Sequence, residues 1–408
     1  MPHRHPRTIV GCRSPLLIVL LLASCPAVFI HSALAQDQLT AGPNPSEQAA
    51  PPELEELQAT IAESLPATLS LLQASAAVYV EERECFSCHQ QALPPMPRAL
   101  ATQRGWKIDT DQAQAQAQFT HDYFEPRQAR LRQGTGVIGG SYTAGYALTS
   151  LAAADWPCDD TTAALVTYLL EVQEKDGSWK IRTRRPPLEA SDFTATALAV
   201  RGFAAYAKAP EEKRADAEQA PAEEADDESS RTTAEATQGD EDGTVEAIDP
   251  GKAAAAIGQA RRWLQNAKPR SNEDRIFHLL GLNWSGAAED EIAASRQQLL
   301  EAQRPDGGWE QEPGLGSDAY ATGQALVALH EAGGLPVDHL VYRRGLQFLI
   351  ETRQADGTWR IATRSKPIQV YFESGFPHGP SQFISISGTA WAAMALLHAA
   401  AEVESAPH

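Results

Sequence analysis

Gln303-Arg304-Pro305-Asp306-Gly307-Gly308-Trp309 is a turn that the chain uses more than once. Gln173-Glu174-Lys175-Asp176-Gly177-Ser178-Trp179 has the same frame, and Asp356-Gly357-Thr358-Trp359 keeps its second half. Asp-Gly favours a tight turn, because glycine takes positive φ without a steric cost. The tryptophan that follows offers a large apolar face that can wedge between neighbouring helix pairs. Each turn follows an amphipathic Leu/Gln-rich stretch, at Tyr168–Gln173, Leu299–Gln303 and Leu346–Gln354. After each comes an irregular link, then a helix of small residues: Thr194-Ala195-Thr196-Ala197-Leu198, Thr322-Gly323-Gln324-Ala325-Leu326, and Thr389-Ala390-Trp391 through Ala395-Leu396. An earlier copy of the small-residue helix is Ala144-Gly145-Tyr146-Ala147-Leu148, and a degenerate copy runs from Trp263 through Asp274-Arg275 to Leu282. One such pair cannot bury its own apolar face, so the pairs must stack or close on themselves.

The helical pattern extends upstream. From Glu53, Leu54, Leu57, Ile61, Leu65, Leu69 and Leu72 fall at spacings of three and four. No convincing set of strands appears. The pattern breaks at residues 209–249, where 15 acidic residues face 3 basic ones. That block buries too little apolar surface to offset its ordering entropy, so it reads as a disordered acidic insertion. A helical pattern resumes at Lys252, so the block interrupts the fold instead of ending it. The net charge of −19 comes with no basic stripe, which argues against a nucleic-acid partner.

Residues 1–35 read as a signal peptide. Arg4, Arg7 and Arg13 precede an apolar run from Leu16 to Ile30, and Ala33-Leu34-Ala35 supplies a small-residue cleavage site. The protein is therefore expected to be exported, periplasmic or otherwise extracytoplasmic. Leu22-Ala23-Ser24-Cys25 also resembles a lipobox, so a lipid anchor at Cys25 is the alternative. Residues 36–52 read as a flexible mature N-terminus, and 53–408 as the folded body. Cleavage leaves three cysteines, Cys85, Cys88 and Cys158, which is not a disulfide-rich scaffold.

Gln173-x-x-x-Gly177-x-Trp179 and Gln303-x-x-x-Gly307-x-Trp309 resemble the QW repeat of the squalene-hopene cyclase and protein prenyltransferase superfamily. The resemblance covers roughly 140–400, and weakly 54–105; the third turn departs from it, with Arg353 where glutamine is expected. It implies an all-α fold, a single α/α toroid of inner and outer helices with a cavity at one end. The superfamily's chemistry does not carry over. There is no D-x-D-D acid motif, and Asp159-Asp160-Thr161-Thr162 reads as the cap of an outer helix. The zinc of the prenyltransferases needs a cysteine, and Cys158 beside Pro157 sits on that same outer-helix turn.

Cys85-Phe86-Ser87-Cys88-His89 carries the specific chemical signal. C-x-x-C-H is the attachment signature of c-type haem, with two thioethers and the histidine as proximal iron ligand. One covalent haem c is expected; the other reading is a redox or structural C-x-x-C disulfide with an incidental histidine. Met96 stands close downstream among Pro94, Pro95 and Pro97, so the distal candidates are His121, His278, His378 or none. Upstream, an outer-type helix is expected to end at Leu71-Leu72-Gln73, with Ala74 to Glu84 in a turn. Downstream, Ala92 to Gly105 resembles an inner segment. The motif then falls at the rim of the toroid cavity.

A second constellation lies in the links before the inner helices: Arg185-Pro186-Pro187 with Ser191-Asp192, Asp274-Arg275, Ser317 to Tyr320, Gln369, Tyr371 to His378, and Gln382. In a closed toroid these links converge on one end, where ligand pockets form. Glu373 and His378, then Asp318 and Asp192, are the candidate acid–base groups, although Asp192 and Asp318 also read as helix caps. Two functions remain open. One is an exported haem protein that transfers electrons or does haem-based redox chemistry, with a redox partner protein and a small-molecule pocket. The other is a haem-free toroid enzyme or binding module acting on an isoprenoid or glycan.

Overall fold

Outer and inner helices alternate along the chain, and buried tryptophans join three of the pairs. A computed structural model describes residues 51–207, 248–368 and 370–401. The expected signal peptide at 1–35 lies outside those residues, as do nearly all of 36–52 and 209–249, and Gln369. The described outer helices are α1 (Leu54–Glu82), α3 (Thr110–Phe124), α6 (Asp160–Glu171), α8 (Pro250–Asn266), α10 (Glu289–Glu301) and α12 (Leu340–Thr352). The inner ones are α2 (Pro95–Gln103), α5 (Ser141–Ala153), α7 (Asp192–Tyr206), α9 (Asn272–Trp284), α11 (Ala319–Glu331) and α13 (Gln382–Ala399). A short α4 (Gln128–Leu131) leads into α5. Among the described residues there is no strand, only an isolated bridge between Arg185 and Glu189.

The inner helices close a ring: α5 packs on α7, α7 on α9, α9 on α11, α11 on α13, α13 on α2, and α2 on α5. Small residues permit the approach. A Cβ on Gly323 would lie 2.5 Å from the backbone of Trp391, and one on Gly145 would lie 2.7 Å from Leu198. α5, α7, α11 and α13 are buried along nearly their whole length, which explains their lack of amphipathic stripes.

The three turns repeat one set of bonds. Trp179, Trp309 and Trp359 are buried, and each indole N–H donates to a carbonyl of the preceding outer helix: Leu169 at 2.9 Å, Leu299 at 2.9 Å and Leu349 at 2.8 Å. Each tryptophan backbone N–H donates to a threonine on the following inner helix, Thr196, Thr322 or Thr389. The glutamine of the motif crosslinks outer helices. Gln173 Nε2 donates to Gly177 O (2.9 Å) and to Ala256 O (3.0 Å) of α8. Gln303 Nε2 does the same with Gly307 O (2.9 Å) and Val341 O (2.8 Å) of α12.

The third turn lacks that glutamine, and the missing donor comes from the far end of the chain. Thr68 Oγ1 of α1 donates to Gly357 O at 2.7 Å. Arg343 of α12 bonds Pro52 O, and Gln58 of α1 bonds Ala399 O at the end of α13. The departure at Arg353 is therefore the seam where the ring closes. α1 also runs further than expected. It continues to Glu82 instead of ending at Gln73, because Ser75, Ala76 and Tyr79 prolong the buried face begun by Leu69 and Leu72.

Gly307 has φ +83°, and a Cβ there would stand 2.5 Å from Arg344 O on α12. Gly307→Ala combines a strained backbone with a collision against a carbonyl that cannot swing aside. We expect a loss of about 2–3 kcal/mol, read as a lowered melting temperature, whereas Gly314→Ala, with φ +89° but open space around it, should lose about 1 kcal/mol.

Candidate functional site

The segment between α1 and α2 bends into the end of the ring and carries the C-x-x-C-H motif with it. Cys85 to Ser87 run irregularly, and Cys88–Ala92 form a single widened π-type turn. Such turns recur at functional sites. The turn is pinned from beneath. Gln90 Nε2 donates to Ser75 Oγ (3.0 Å), Gln91 Nε2 to Ala76 O (3.3 Å), and Gln116 Nε2 of α3 to Gln90 O (2.9 Å).

Cys85, Cys88 and His89 all line one cavity of about 210 Å³. Its opposite wall comes from Tyr142 and Thr143 of α5, from Arg185, Leu188 and Glu189 in the link before α7, and from Phe383 and Ile384 of α13. The rim is apolar and open to solvent: Ile138 is 74% exposed, Ile368 67% and Val370 85%. Arg185 and Glu189 form a two-pronged ion pair, with N–O distances of 2.7 and 2.8 Å, and Thr183 Oγ1 also donates to Glu189.

Burial sets the state of the motif's titratable groups. The His89 imidazole is pushed down to about 4, so it is neutral at neutral pH. Its Nδ1 lies 3.0 Å from Ser87 Oγ, which also accepts from Gln90 N–H. The Cys88 thiol is pushed up to about 12, by burial and then by the Glu189 carboxylate. It lies 3.9 Å from Thr143 Oγ1, and Cys85 Sγ lies 3.2 Å from Tyr79 OH. Neither cysteine is in a disulfide. A redox-exchange C-x-x-C needs a stabilised thiolate, and Cys88 has the opposite environment. In the haem-free chain, alkylation of Cys88 at pH 8 should run about a thousandfold slower than that of a simple thiol, followed by mass spectrometry of the Cys85–Gln91 peptide.

The other candidates sit elsewhere. Asp192 opens α7: its Oδ1 accepts from Ile181 N–H (3.0 Å) and Lys180 Nζ lies 3.3 Å from Oδ2. Asp318 caps α11 through Ala321 N–H (2.8 Å), and burial raises its carboxyl above the usual range. Glu373 is exposed and accepts from Tyr371 OH at 2.5 Å. His378, at φ +85°, places Nε2 2.7 Å from Thr358 Oγ1 of the third turn, and burial lowers its pKa. None of the four lines the Cys–His cavity. The distal candidates are also engaged away from it. His121 lies between Asp122 and Asp159 and stacks on Trp156. Both ring nitrogens of His278 are taken, by Ser295 and by Leu264 O. Met96 lines a separate cavity of about 180 Å³ formed with the C-terminal ends of the inner helices.

Of the links before the inner helices, those before α7 and α13 line the cavity, and Arg185 belongs to its wall. Sequence reading missed Glu189 and Tyr142. Glu189 stands four residues after Arg185, a pairing signal that was there to be used. Asp159 caps α6 in a capping box with Thr162, as the sequence suggests. Cys158 is exposed, and no group of three or more His, Cys, Asp or Glu side chains among the described residues could hold a metal ion.

No family model matches the chain. Over 114 residues it is 33% identical to the lanosterol synthase erg7A of Aspergillus fumigatus, and over 128 residues 31% identical to the squalene–hopene cyclase of Bradyrhizobium diazoefficiens. A lanosterol synthase of Saccharomyces cerevisiae is 32% identical over 101 residues. These matches cover 27, 26 and 25% of this chain, and 14, 18 and 13% of the three relatives. A type II terpene cyclase from Scytonema, in complex with the product merosterolic acid A, superposes with a TM-score of 0.50 at 13% identity. That superposition covers 85% of this chain and 99% of the cyclase. The fold is a cyclase-like α/α toroid. In this toroid the C-x-x-C-H segment forms the first outer-to-inner link, and α5, α13 and the links before α7 and α13 build the opposite wall of its cavity.

Proposed function

We propose that the toroid carries one c-type haem, attached through Cys85 and Cys88 with His89 as axial ligand, and performs haem-based redox chemistry outside the cytoplasm. The observation that carries this reading is that both thiols and the imidazole of one five-residue motif face one cavity. Several features fit such a group. Ser87 Oγ can accept the His89 Nδ1–H, which leaves Nε2 as the lone-pair nitrogen and holds the ring's orientation. Burial keeps the imidazole neutral, the ligating form. The cavity is smaller than the roughly 300–1,000 Å³ typical of cofactor sites, but its mouth is open. Ile138, Ile368 and Val370 at that mouth offer the exposed aliphatic surface that an apolar macrocycle would cover.

When bound, such a haem supplies a one-electron couple at the mouth of the toroid. Arg185 and Glu189 hold a fixed charge pair in the wall facing it, and the aliphatic rim limits water. His89 is the only histidine, and no methionine or lysine appears, among the described cavity-lining residues. A haem held by Cys85, Cys88 and His89 would supply redox chemistry here, with a separate redox protein as electron donor.

The test is production of the full chain in a host with c-type maturation machinery, followed by haem staining after denaturing electrophoresis and a pyridine haemochrome spectrum. Covalent stain is expected. Cys85→Ser/Cys88→Ser should lose the stain, and absence of stain in the parent would sink the reading. A second reading rests on the aliphatic rim and on the similarity to sterol and hopene cyclases: a haem-free toroid taking an isoprenoid ligand in this cavity. Unstained protein that binds an isoprenoid chain, and loses it in Ile368→Glu, would favour that reading.

A further inference from the structure

Beneath the Cys–His cavity the axis of the toroid holds a cluster of buried polar groups. Helical spacing lines them up. Tyr142 and Tyr146 on α5, and Tyr320 and Gln324 on α11, stand four residues apart and face the centre of the ring. The three hydroxyls and both Gln324 amide atoms are buried without a well-formed hydrogen bond, Tyr142 standing beside Tyr146 and Tyr320 beside Gln324. Tyr142 lines the cavity itself, and its ring lies 5.0 Å from that of Tyr146. Buried polar atoms are rarely left unpaired, and such clusters accompany sites where water or protons are exchanged.

Glu273 on α9 sits in the middle of them, 1% exposed. Its Oε1 accepts from Thr194 Oγ1 of α7 (3.0 Å), and its Oε2 accepts from Gln311 Nε2 (3.1 Å). Gln311 ties this acid to the cavity wall. The same Nε2 donates to Pro187 O at 2.6 Å, directly before Leu188 and Glu189, and Arg364 donates to Gln311 Oε1 directly before Ser365. Leu188, Glu189 and Ser365 all line the cavity. Phe277, one turn along α9 from Glu273, packs its ring 6.3 Å from that of Trp391, which lines the second cavity. The charged and titratable groups around Glu273 are its neighbour Asp274, Arg364 in the link before α13, Tyr142 and Tyr146 on α5, and Tyr320 with Asp318 at the start of α11.

We propose that Glu273 is a redox-linked proton acceptor for the Cys85–Cys88–His89 cavity, reached from it through the hydroxyls of Tyr142 and Tyr146. This rests on the haem reading above. Glu273 as a carboxylate would take one proton from solvent and become a carboxylic acid when a haem bound in the cavity gained one electron from an external one-electron donor. The charge added by the electron is cancelled by the proton, so the low-dielectric interior keeps its net charge. Burial already holds the Glu273 carboxyl up at about 8, so an added electron nearby moves its titration further into the alkaline range.

The experiment is spectroelectrochemical titration of the full-length haem protein from pH 6 to 10, for the parent, Glu273→Gln and Tyr146→Phe. The parent midpoint potential should fall above pH 8 towards one proton per electron, a tenfold change per pH unit or about 59 mV. Glu273→Gln should be flat, while Tyr146→Phe keeps the limiting slope and slows proton equilibration after a pH jump. A flat parent profile, or an equal slope in Glu273→Gln, overturns the proposal. Infrared titration of the haem-free chain reads Glu273 independently: a protonated-carboxyl band lost near pH 8 and absent from Glu273→Gln. No such band overturns the proposal at its own residue. Failure to attach haem, with the band present, overturns it through the cofactor reading instead.

Discussion

Trp309→Ala should destabilise the toroid by about 3–5 kcal/mol and lower its melting temperature by roughly 10 °C. The side chain is fully buried and its indole N–H bonds Leu299 O at 2.9 Å. Truncation therefore leaves a cavity and an unpaired carbonyl inside α10. The backbone geometry adds to the cost. Trp309 N–H bonds Thr322 on α11, and the adjoining Gly307 presses on α12, so one turn holds three helices. Trp309→Phe keeps most of the volume and loses only the N–H bond, so it should fall between parent and alanine. Circular dichroism melts of the three proteins check the order. An alanine variant melting within a degree or two of the parent would mean that the turns decorate the ring without holding it.

Much of that expectation was legible in the sequence, because the turn and Thr322 stand close to Trp309 in the chain, although the contact of Gly307 with α12 is not local. Gly307, Gln303 and Thr322 are local and recur, so repetition exposed them. What stayed hidden is non-local. Thr68 replaces the glutamine of the third turn across nearly the whole chain, and nothing around Arg353 points to it. Glu273 looks like one more acidic residue at a helix start, where carboxylates favour the dipole. Only closure of the ring buries it beside Thr194 and Gln311. The four acid–base candidates show the converse. Asp192, Asp318, Glu373 and His378 sit in the links that converge, but a link turns some side chains towards the cavity and others back onto helix ends. A sequence names the link without naming that direction. Cys85, Cys88 and His89 were legible because their spacing is itself the chemical signal, and the helix order then brings them to a cavity.

Glu273→Gln should remove a loss of stability on the alkaline side in the haem-free chain. The carboxyl ionises near 4.5 in the unfolded chain and is pushed up to about 8 in the fold. Between those values the fold holds a proton that the unfolded chain has lost, so stability declines as pH rises towards 8 and stays low above it. Buried His89 works in the opposite sense. Its folded value near 4 lies below the unfolded 6.5, so it costs stability as pH falls below 6.5. From pH 6.5 to 8 the slope therefore isolates the buried acid, and about 2 kcal/mol should disappear over that interval. Glutamine keeps the shape and stays neutral, giving up part of its bonding to Thr194 or Gln311, which costs about 1 kcal/mol. The two stability curves should then cross near pH 5, the variant being weaker at pH 4 and stronger at pH 9 in urea titrations. Parallel curves would mean that Glu273 keeps its charge in the fold, with Arg364 as its compensating cation. The centre of the toroid would then hold an ion pair, with no proton to exchange at neutral pH.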